Sequence, residues 1–280
     1  MIQPVHDIAS QLQAVYPADE AESLAWWLVE EETGMTRTQL QFGCKDTAFS
    51  PHMQEKIDRL LHFEPIQYIF GHTLWGGLDL KVTPATLIPR PETAELVDKI
   101  SAFSYRHSSS SYHVLDIGTG SGCIAIALKK KHPEWQVTGI DISAEAIKVA
   151  QENAKRNHAE VEFVQRDIFS DEIESFAHRF DIVVSNPPYI CEHERSEMRK
   201  NVLDYEPASA LFVPDNDPLV FYRRIASLQM GTHLYFEINE AYADEMASLL
   251  REQGYTDICV RQDMYGKARM AEGHLPTHSS

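Results

Sequence analysis

Asp181-Ile182-Val183-Val184-Ser185-Asn186-Pro187-Pro188-Tyr189-Ile190 is the stretch from which the fold is read. Ile182, Val183 and Val184 form a β-branched run, which predicts a short buried strand. Pro187 and Pro188 end it, because neither has an N–H to give to a ladder and each has φ fixed near one value. The chain leaves the sheet there in a stiff, extended conformation, with carbonyls that lack ladder partners. Asn186 adds a side-chain amide at the carboxyl end of the strand, where open α/β sheets bind ligands. The expectation is a small rigid slot rich in hydrogen-bond acceptors, with the Tyr189 ring at its edge.

Such a slot suits a planar –NH2 group. The Asn186 side-chain oxygen and the Pro187 carbonyl can each accept one of its two hydrogens, while Tyr189 packs on the flat face. Holding both hydrogens orients a nitrogen whose lone pair is otherwise delocalised, and favours the pyramidal form that can attack an electrophile. The plainer alternative is a strand closed by Pro-Pro with an Asn turn. Short motifs match by accident, so the rest of the chain must decide.

At 280 residues, 43% of them hydrophobic, the chain can bury a large core with a smaller domain beside it. Its formal charge is −17 and no basic run exceeds Lys129-Lys130-Lys131, so nucleic acid is disfavoured as a direct substrate. Cys44, Cys123, Cys191 and Cys259 lie far apart with no Cys-x-x-Cys pair, which suits reduced thiols in the cytoplasm. The thirteen histidines include no His-Glu-x-x-His, and no metal is expected. No apolar run has the length of a membrane span, and residues 1–20 lack the pattern of a signal peptide. A soluble cytoplasmic protein is expected.

Residues 1–70 read as several packed helices. Ala21, Leu24, Ala25, Leu28 and Val29 fall on one face with Trp27 beside it, and Trp26-Trp27 is either core or a partner surface. Ser50-Pro51 suits a helix start, continued by Met53, Ile57, Leu60 and Leu61. Residues 71–86 form a linker with a hairpin or bulged strand around Gly76-Gly77. Leu87-Ile-Pro-Arg90-Pro91-Glu92-Thr93 then leads into a helix through Ile100, and residues 104–112 are a Ser-rich loop.

From His113 onward strands and helices alternate, as a parallel sheet requires. Strands are expected at 113–117, 135–140, 161–165, 181–185, 234–238 and 257–261, with helices at 123–131, 144–157, 218–228 and 241–251. The turn Gly118-Thr119-Gly120-Ser121-Gly122 follows the first strand and offers free N–H groups at a helix start. A dinucleotide fingerprint would place Gly or Ala after Gly122, where this chain has Cys123. Asp141, ending the second strand, is placed for ribose hydroxyls, which fits NAD and S-adenosylmethionine equally. Asp167 either faces an adenine amino group or is a solvated loop carboxylate. The Asn-Pro-Pro-Tyr slot makes sense opposite a methyl donor and has no use in hydride transfer.

Asp116-Ile-Gly-Thr-Gly-Ser-Gly122, Asp141 and Asn186-Pro-Pro-Tyr189 together resemble a class I S-adenosylmethionine-dependent methyltransferase acting on a planar nitrogen. Glu64-Pro-Ile, Leu87-Ile-Pro-Arg-Pro-Glu-Thr93, Glu206-Pro-Ala and the N-terminal helices narrow the resemblance to the peptide chain release factor glutamine N5-methyltransferases. It extends over nearly the whole chain. The family that methylates a ribosomal protein glutamine shares the slot but usually lacks the Pro-Glu-Thr step.

The resemblance implies an α/β fold, a Rossmann-like, seven-stranded, mostly parallel sheet over 87–280, joined by the 71–86 hairpin to a substrate-recognising helical domain over 1–70. It implies S-adenosyl-L-methionine as cofactor and the glutamine of a release factor Gly-Gly-Gln loop as methyl acceptor. By position, Gly118, Thr119, Gly120, Ser121 and Gly122 would line the methionine part, Asp141 would bind ribose, and Ile168 would lie near adenine, with Asp167 beside it kept as a cofactor-binding candidate on the reading above. Asn186, Pro187, Pro188 and Tyr189 would hold the glutamine amide, with Asn186 also beside the cofactor. Two departures stand out. Ala94 replaces a common Glu, so any hold on the cofactor by that carboxylate is missing here or passes to Glu95, and Ile168 replaces a frequent aromatic. An adenine-N6 methyltransferase is the alternative, since a flipped exocyclic amine fits the same slot. A methyltransferase fold kept only for binding would show losses in the glycine turn or at Asp141, and both are intact.

Overall fold

The computed structural model describes residues 2–43, 52–104 and 111–276. Ser50-Pro51, Cys44 and most of the Ser-rich loop, with Arg106 and His107, lie outside the described residues. The chain divides into two compact units, 1–71 with 199–205, and 72–198 with 206–280.

The first unit is helical, with helices Gln3–Leu12, Ala18–Thr33, Arg37–Gly43, Met53–Leu61 and Ile66–Phe70. Gly34 ends the second helix in the left-handed region at φ +64, where glycine is free of the Cβ clash. Its buried face is Ala21, Ala25, Trp26, Leu28 and Val29. Trp26, rather than Trp27, is therefore the core indole, and Arg37 lies over its ring at 4.7 Å. Trp27 is half-buried and donates to Glu31 at 3.2 Å. Residues 199–205 belong to this unit and include a short helix, Lys200–Leu203. Tyr205 donates its hydroxyl hydrogen to the His62 carbonyl at 2.9 Å, and Arg199 pairs with Glu20.

The second unit opens with the hairpin β1 (His72–Trp75) and β2 (Leu78–Lys81), turned by Gly76-Gly77. It is fastened to the helix Ala144–Arg156 by Asn153, whose amide exchanges hydrogen bonds with the Lys81 N–H and carbonyl. The strands that follow are β3 (His113–Ile117), β4 (Gln136–Asp141), β5 (Glu162–Gln165), β6 (Phe180–Ser185), β7 (Ile190–Cys191), β8 (Phe212–Val213), β9 (Gly231–Glu237), β10 (Thr256–Gln262) and β11 (Ala268–His274). β7 and β8 pair only with each other. The others form one seven-stranded sheet in the order β10-β11-β9-β6-β3-β4-β5, parallel except at β11.

Two cores cover the sheet's faces, which is why its central strands read as continuous apolar runs. Val114, Ile182 and Val184 pack with helices Thr93–Ser104 and Cys123–Lys131. Leu115, Ile117 and Val183 pack with Tyr222, Ile225, Met246 and Leu249 from helices Val220–Ser227 and Ala243–Glu252. β11 has no counterpart among the expected strands. Its sequence, Ala-Arg-Met-Ala-Glu-Gly-His, has no β-branched residue, and it is a strand because β9 and β10 pair with it on both sides.

Register places the site. Ile117 pairs with Ile140 and with Ser185, and Ser185 pairs with Phe236. One residue beyond this row stand Gly118, Asp141, Asn186 and Glu237, at the carboxyl ends of four adjacent parallel strands. The order of connection reverses between β3 and β6, so this is also the switch point of the sheet.

Candidate active site

At the switch point the Ser185 hydroxyl donates to the Ile117 carbonyl at 2.7 Å, joining the last residues of β6 and β3. Above it opens a cavity of about 420 Å³, within the range typical of small-molecule sites. Of the residues predicted from sequence, Gly118, Thr119, Gly120, Ser121, Asp141, Asp167, Ile168, Asn186, Pro187 and Pro188 line it. Gly122 and Tyr189 are not among the lining residues.

The turn after β3 builds one wall from backbone. Gly118 and Gly120 have φ +69 and +53, and a Cβ on Gly118 would meet nothing within 4 Å. Left-handed geometry, and not lack of space, requires glycine there, and the backbone is left bare toward the cavity. Gly122 is left-handed too, at φ +82, and is also closely packed: a Cβ would stand 3.1 Å from Ala150, Ile126 and Phe163. Asn153 reaches the turn from the neighbouring helix and donates to the Ser121 carbonyl at 2.9 Å.

Two carboxylates hold the turn. Asp141 accepts from the Gly120 and Ser143 N–H groups, each at 2.9 Å, and burial raises its pKa despite those bonds. Asp116 lies beneath, fully buried. Its Oδ2 accepts from the Thr119 hydroxyl at 2.6 Å and the Ala125 N–H at 3.2 Å, while Oδ1 has no partner among the described residues. Burial pushes its pKa up to about 7, against the pull of both bonds. Burial pushes the Cys123 thiol nearby up to about 12.

Ile142, Phe169, Phe221 and Ile225 give the far side an apolar surface. Phe169 and Phe221 meet edge to face at 5.2 Å between centroids, so the residue after Ile168 brings an aromatic ring to this wall. Asp167 is turned to its own loop, its Oδ1 accepting from the Phe169 N–H at 2.9 Å. Arg166 pairs with Glu172 and leaves a buried Nε without a partner among the described residues. Bare turn backbone, a carboxylate and an apolar wall fit a ligand with a charged tail, sugar hydroxyls and an aromatic ring.

The opposite wall is built from side chains of distant segments. The loop before helix Thr93–Ser104 is clamped by Glu206, which accepts from the Ile88 N–H at 3.2 Å and from Arg90 at 2.6 Å. The Trp75 indole donates to the Arg90 carbonyl at 2.7 Å. Thr93 thereby faces Asn186, whose Nδ2 lies 3.4 Å from Thr93 Oγ1. Thr93 in turn donates to Glu237 Oε2 at 2.6 Å, and the Tyr189 hydroxyl donates to Glu237 Oε1 at 3.2 Å. Burial raises the pKa of Glu237, which is 1% exposed, and also that of Tyr189. Nothing in the sequence pattern singled out Glu237. Its one signal is its place at the end of β9. Glu95 does not reach the cavity, since its Oε1 accepts from the Met264 N–H at 3.0 Å.

Outside the cavity, Cys191, His193 and Asp215 bring possible metal-ligating atoms within 4.8 Å of one another, a grouping that sequence spacing does not reveal. His193 and Asp215 are exposed and bond to each other at 2.8 Å, and Cys191 Sγ lies 3.2 Å from the Tyr242 hydroxyl. No helix among the described residues is long and apolar enough to cross a membrane.

Residues 5–71 match the family described as PrmC N-terminal domain, and residues 94–205 match the Methyltransferase small domain. The chain is 44% identical over 273 residues to a release factor glutamine methyltransferase of Bacteroides thetaiotaomicron, covering 94% of this chain and 96% of that one. A protein of the same name from Flavobacterium psychrophilum is 40% identical over 275 residues, covering 92% and 93%. Among solved structures, the hMettl16 catalytic domain in complex with MAT2A 3'UTR hairpin 1 has the same fold. Its TM-score is 0.58 at 16% identity, with 90% of this chain and 91% of that chain covered.

Proposed function

The chain belongs to the release factor glutamine methyltransferase family, and from that premise we propose that it methylates the side-chain amide nitrogen (N5) of the glutamine in the Gly-Gly-Gln motif of peptide chain release factors, with S-adenosyl-L-methionine as donor. The observation that carries this reading is the Asn186-Pro187-Pro188 segment opposite the glycine turn across one cavity. An amide acceptor on one wall and a methyl donor on the other then meet between them.

In this reading Gly118 to Gly120 hold the amino-acid tail of the cofactor with backbone groups. Asp141 accepts from ribose hydroxyls, and Ile142, Ile168 and Phe169 cover the adenine. When bound, the cofactor would supply an electrophilic methyl group, its S–methyl bond breaking as the N–methyl bond forms and S-adenosylhomocysteine being left. Asn186 Oδ1 and the Pro187 carbonyl accept the two amide hydrogens of glutamine and hold its nitrogen toward that methyl. Alignment of this kind can supply about 7–11 kcal/mol, and the same acceptors stabilise positive charge as it grows on nitrogen. The alkylated nitrogen is acidic enough to release its proton to water, so no strong base is required. The helical unit formed by 1–71 and 199–205 is assigned to holding the release factor, and the cytoplasm is the compartment in which it would meet one.

Labelled cofactor offered with a release factor, with its Gly-Gly-Gln glutamine-to-alanine variant, and separately with RNA and single-stranded DNA tests the assignment. Label should enter only the unaltered release factor, at the glutamine, as located by peptide mass spectrometry. Label in nucleic acid with none in the release factor would replace this reading with the adenine one.

A further inference from the structure

We propose that Glu237 is a positioning residue that, through Thr93, fixes which end of the Asn186 amide faces the substrate. The inference rests on the methyl-transfer reading above and adds residues to it. A hydroxyl has a single hydrogen, and that of Thr93 is given to Glu237 Oε2 at 2.6 Å. Only lone pairs remain on Thr93 Oγ1 for the neighbour 3.4 Å away, so that neighbour must be the –NH2 end of Asn186. Asn186 Oδ1 is thereby left to accept from the substrate amide. With the opposite orientation an –NH2 would face an –NH2, and the slot would repel its substrate.

The direction of the chain of bonds originates in the chemistry of its last member. An ionised carboxylate can only accept, whereas glutamine can present either end. Glu237 is held from several sides: the Tyr189 hydroxyl donates to Oε1 at 3.2 Å, and the Tyr222 hydroxyl donates to the Glu237 carbonyl at 2.9 Å. Of the charges that act on the carboxylate, Arg269 favours its ionised form and Glu92 opposes it. Burying a carboxylate here is costly, and a glutamine would satisfy the same hydroxyls at lower cost. What glutamine lacks is a fixed polarity.

The test uses the full-length enzyme, a release factor at varied concentration and saturating cofactor, in steady-state turnover. Thr93→Val keeps the shape and removes the hydroxyl, and Glu237→Gln keeps the shape and removes the enforced direction. Each should lower kcat by about tenfold or more, as expected for removing one preorganised polar group. KM for the release factor and the affinity for S-adenosylhomocysteine should stay close to wild type. Thr93→Ser should recover most of what Thr93→Val loses. The Thr93→Val, Glu237→Gln double variant should be no slower than the worse single variant, because both act through Asn186. Wild-type kcat in Thr93→Val, losses that multiply in the double variant, or losses confined to KM would overturn the relay while leaving the reaction assigned. A wild-type enzyme that transfers no methyl to any release factor would instead overturn the reading beneath it. If Glu237→Gln fails to bind S-adenosylhomocysteine, the Val and Ser variants of Thr93 decide alone.

Discussion

The turn after β3 and the Asn-Pro-Pro segment after β6 leave adjacent strands and face one cavity, yet they are made of different material. The turn is backbone: positive-φ glycines, N–H groups of Gly120 and Ser143 gathered on Asp141, and the Thr119 N–H on the Ile140 carbonyl at 2.9 Å. Most of what shapes it lies between residues 116 and 143. The Asn186 side is a relay of side chains, Asn186 to Thr93 to Glu237, with Tyr189 joining at the end. Its members come from residues 93 to 237. A backbone-built wall tolerates changes in most side chains and fails only where a glycine or its anchoring carboxylate is altered. A wall built from side chains has several separate points of failure, each far from the others in sequence.

If the two walls divide the labour as proposed, variants should separate rate from cofactor affinity. The largest effect is expected for Asn186→Ala, which should slow methyl transfer by about 10²–10³, by analogy with losing one preorganised polar group. Calorimetric titration with S-adenosylhomocysteine should show the affinity nearly intact. A parallel loss of affinity would break the comparison, because the amide wall would then also hold the cofactor.

Asp141→Ala should do the converse. It removes a carboxylate that anchors the turn and that would accept from ribose, so cofactor binding should weaken by about 1.5–3 kcal/mol, the range for a hydrogen bond to a charged group. At saturating cofactor the rate should change little. Unchanged titration curves would remove Asp141 from the binding wall.

The smallest effect on methyl transfer is expected from Asp116→Asn, whose signature is in stability. The folded carboxyl has its pKa raised by burial from 3.8 to about 7. Between those values the native state binds more protons than the unfolded chain, so this group's contribution is most favourable below 3.8 and is lost as the pH rises to about 7. Urea unfolding at several pH values should therefore show stability falling across that window through Asp116. The Asn variant should show a flatter profile, and an identical slope in both proteins would mean that the charge is not carried there.

Much of the turn side was legible in the chain because its causes are local. Gly118 to Gly122, the helix beginning at Cys123 and the strand ending at Asp141 follow from residue types and short spacings, and the structure has them there. Local pattern says less where partners decide. Trp26 and Trp27 are equivalent in composition, and only the packing of helix Ala18–Thr33 on its neighbours makes Trp26 the buried one. Asn153 sits unremarked among helical residues until β2 and the glycine turn bring three backbone groups to its amide.

By itself the sequence determined the alternation of strand and helix, the glycine turn, the proline-ended strand and the family to which these motifs point. Each is set by φ restriction, hydrophobic period or a missing N–H within a few residues. Only the tertiary structure decided that β11 is a strand, that Glu206 clamps the loop at Arg90, and that Glu237 meets Thr93 across 144 positions of chain. Those features exist through hydrogen bonds between remote segments, and a hydrogen bond leaves no periodic trace in either segment that makes it.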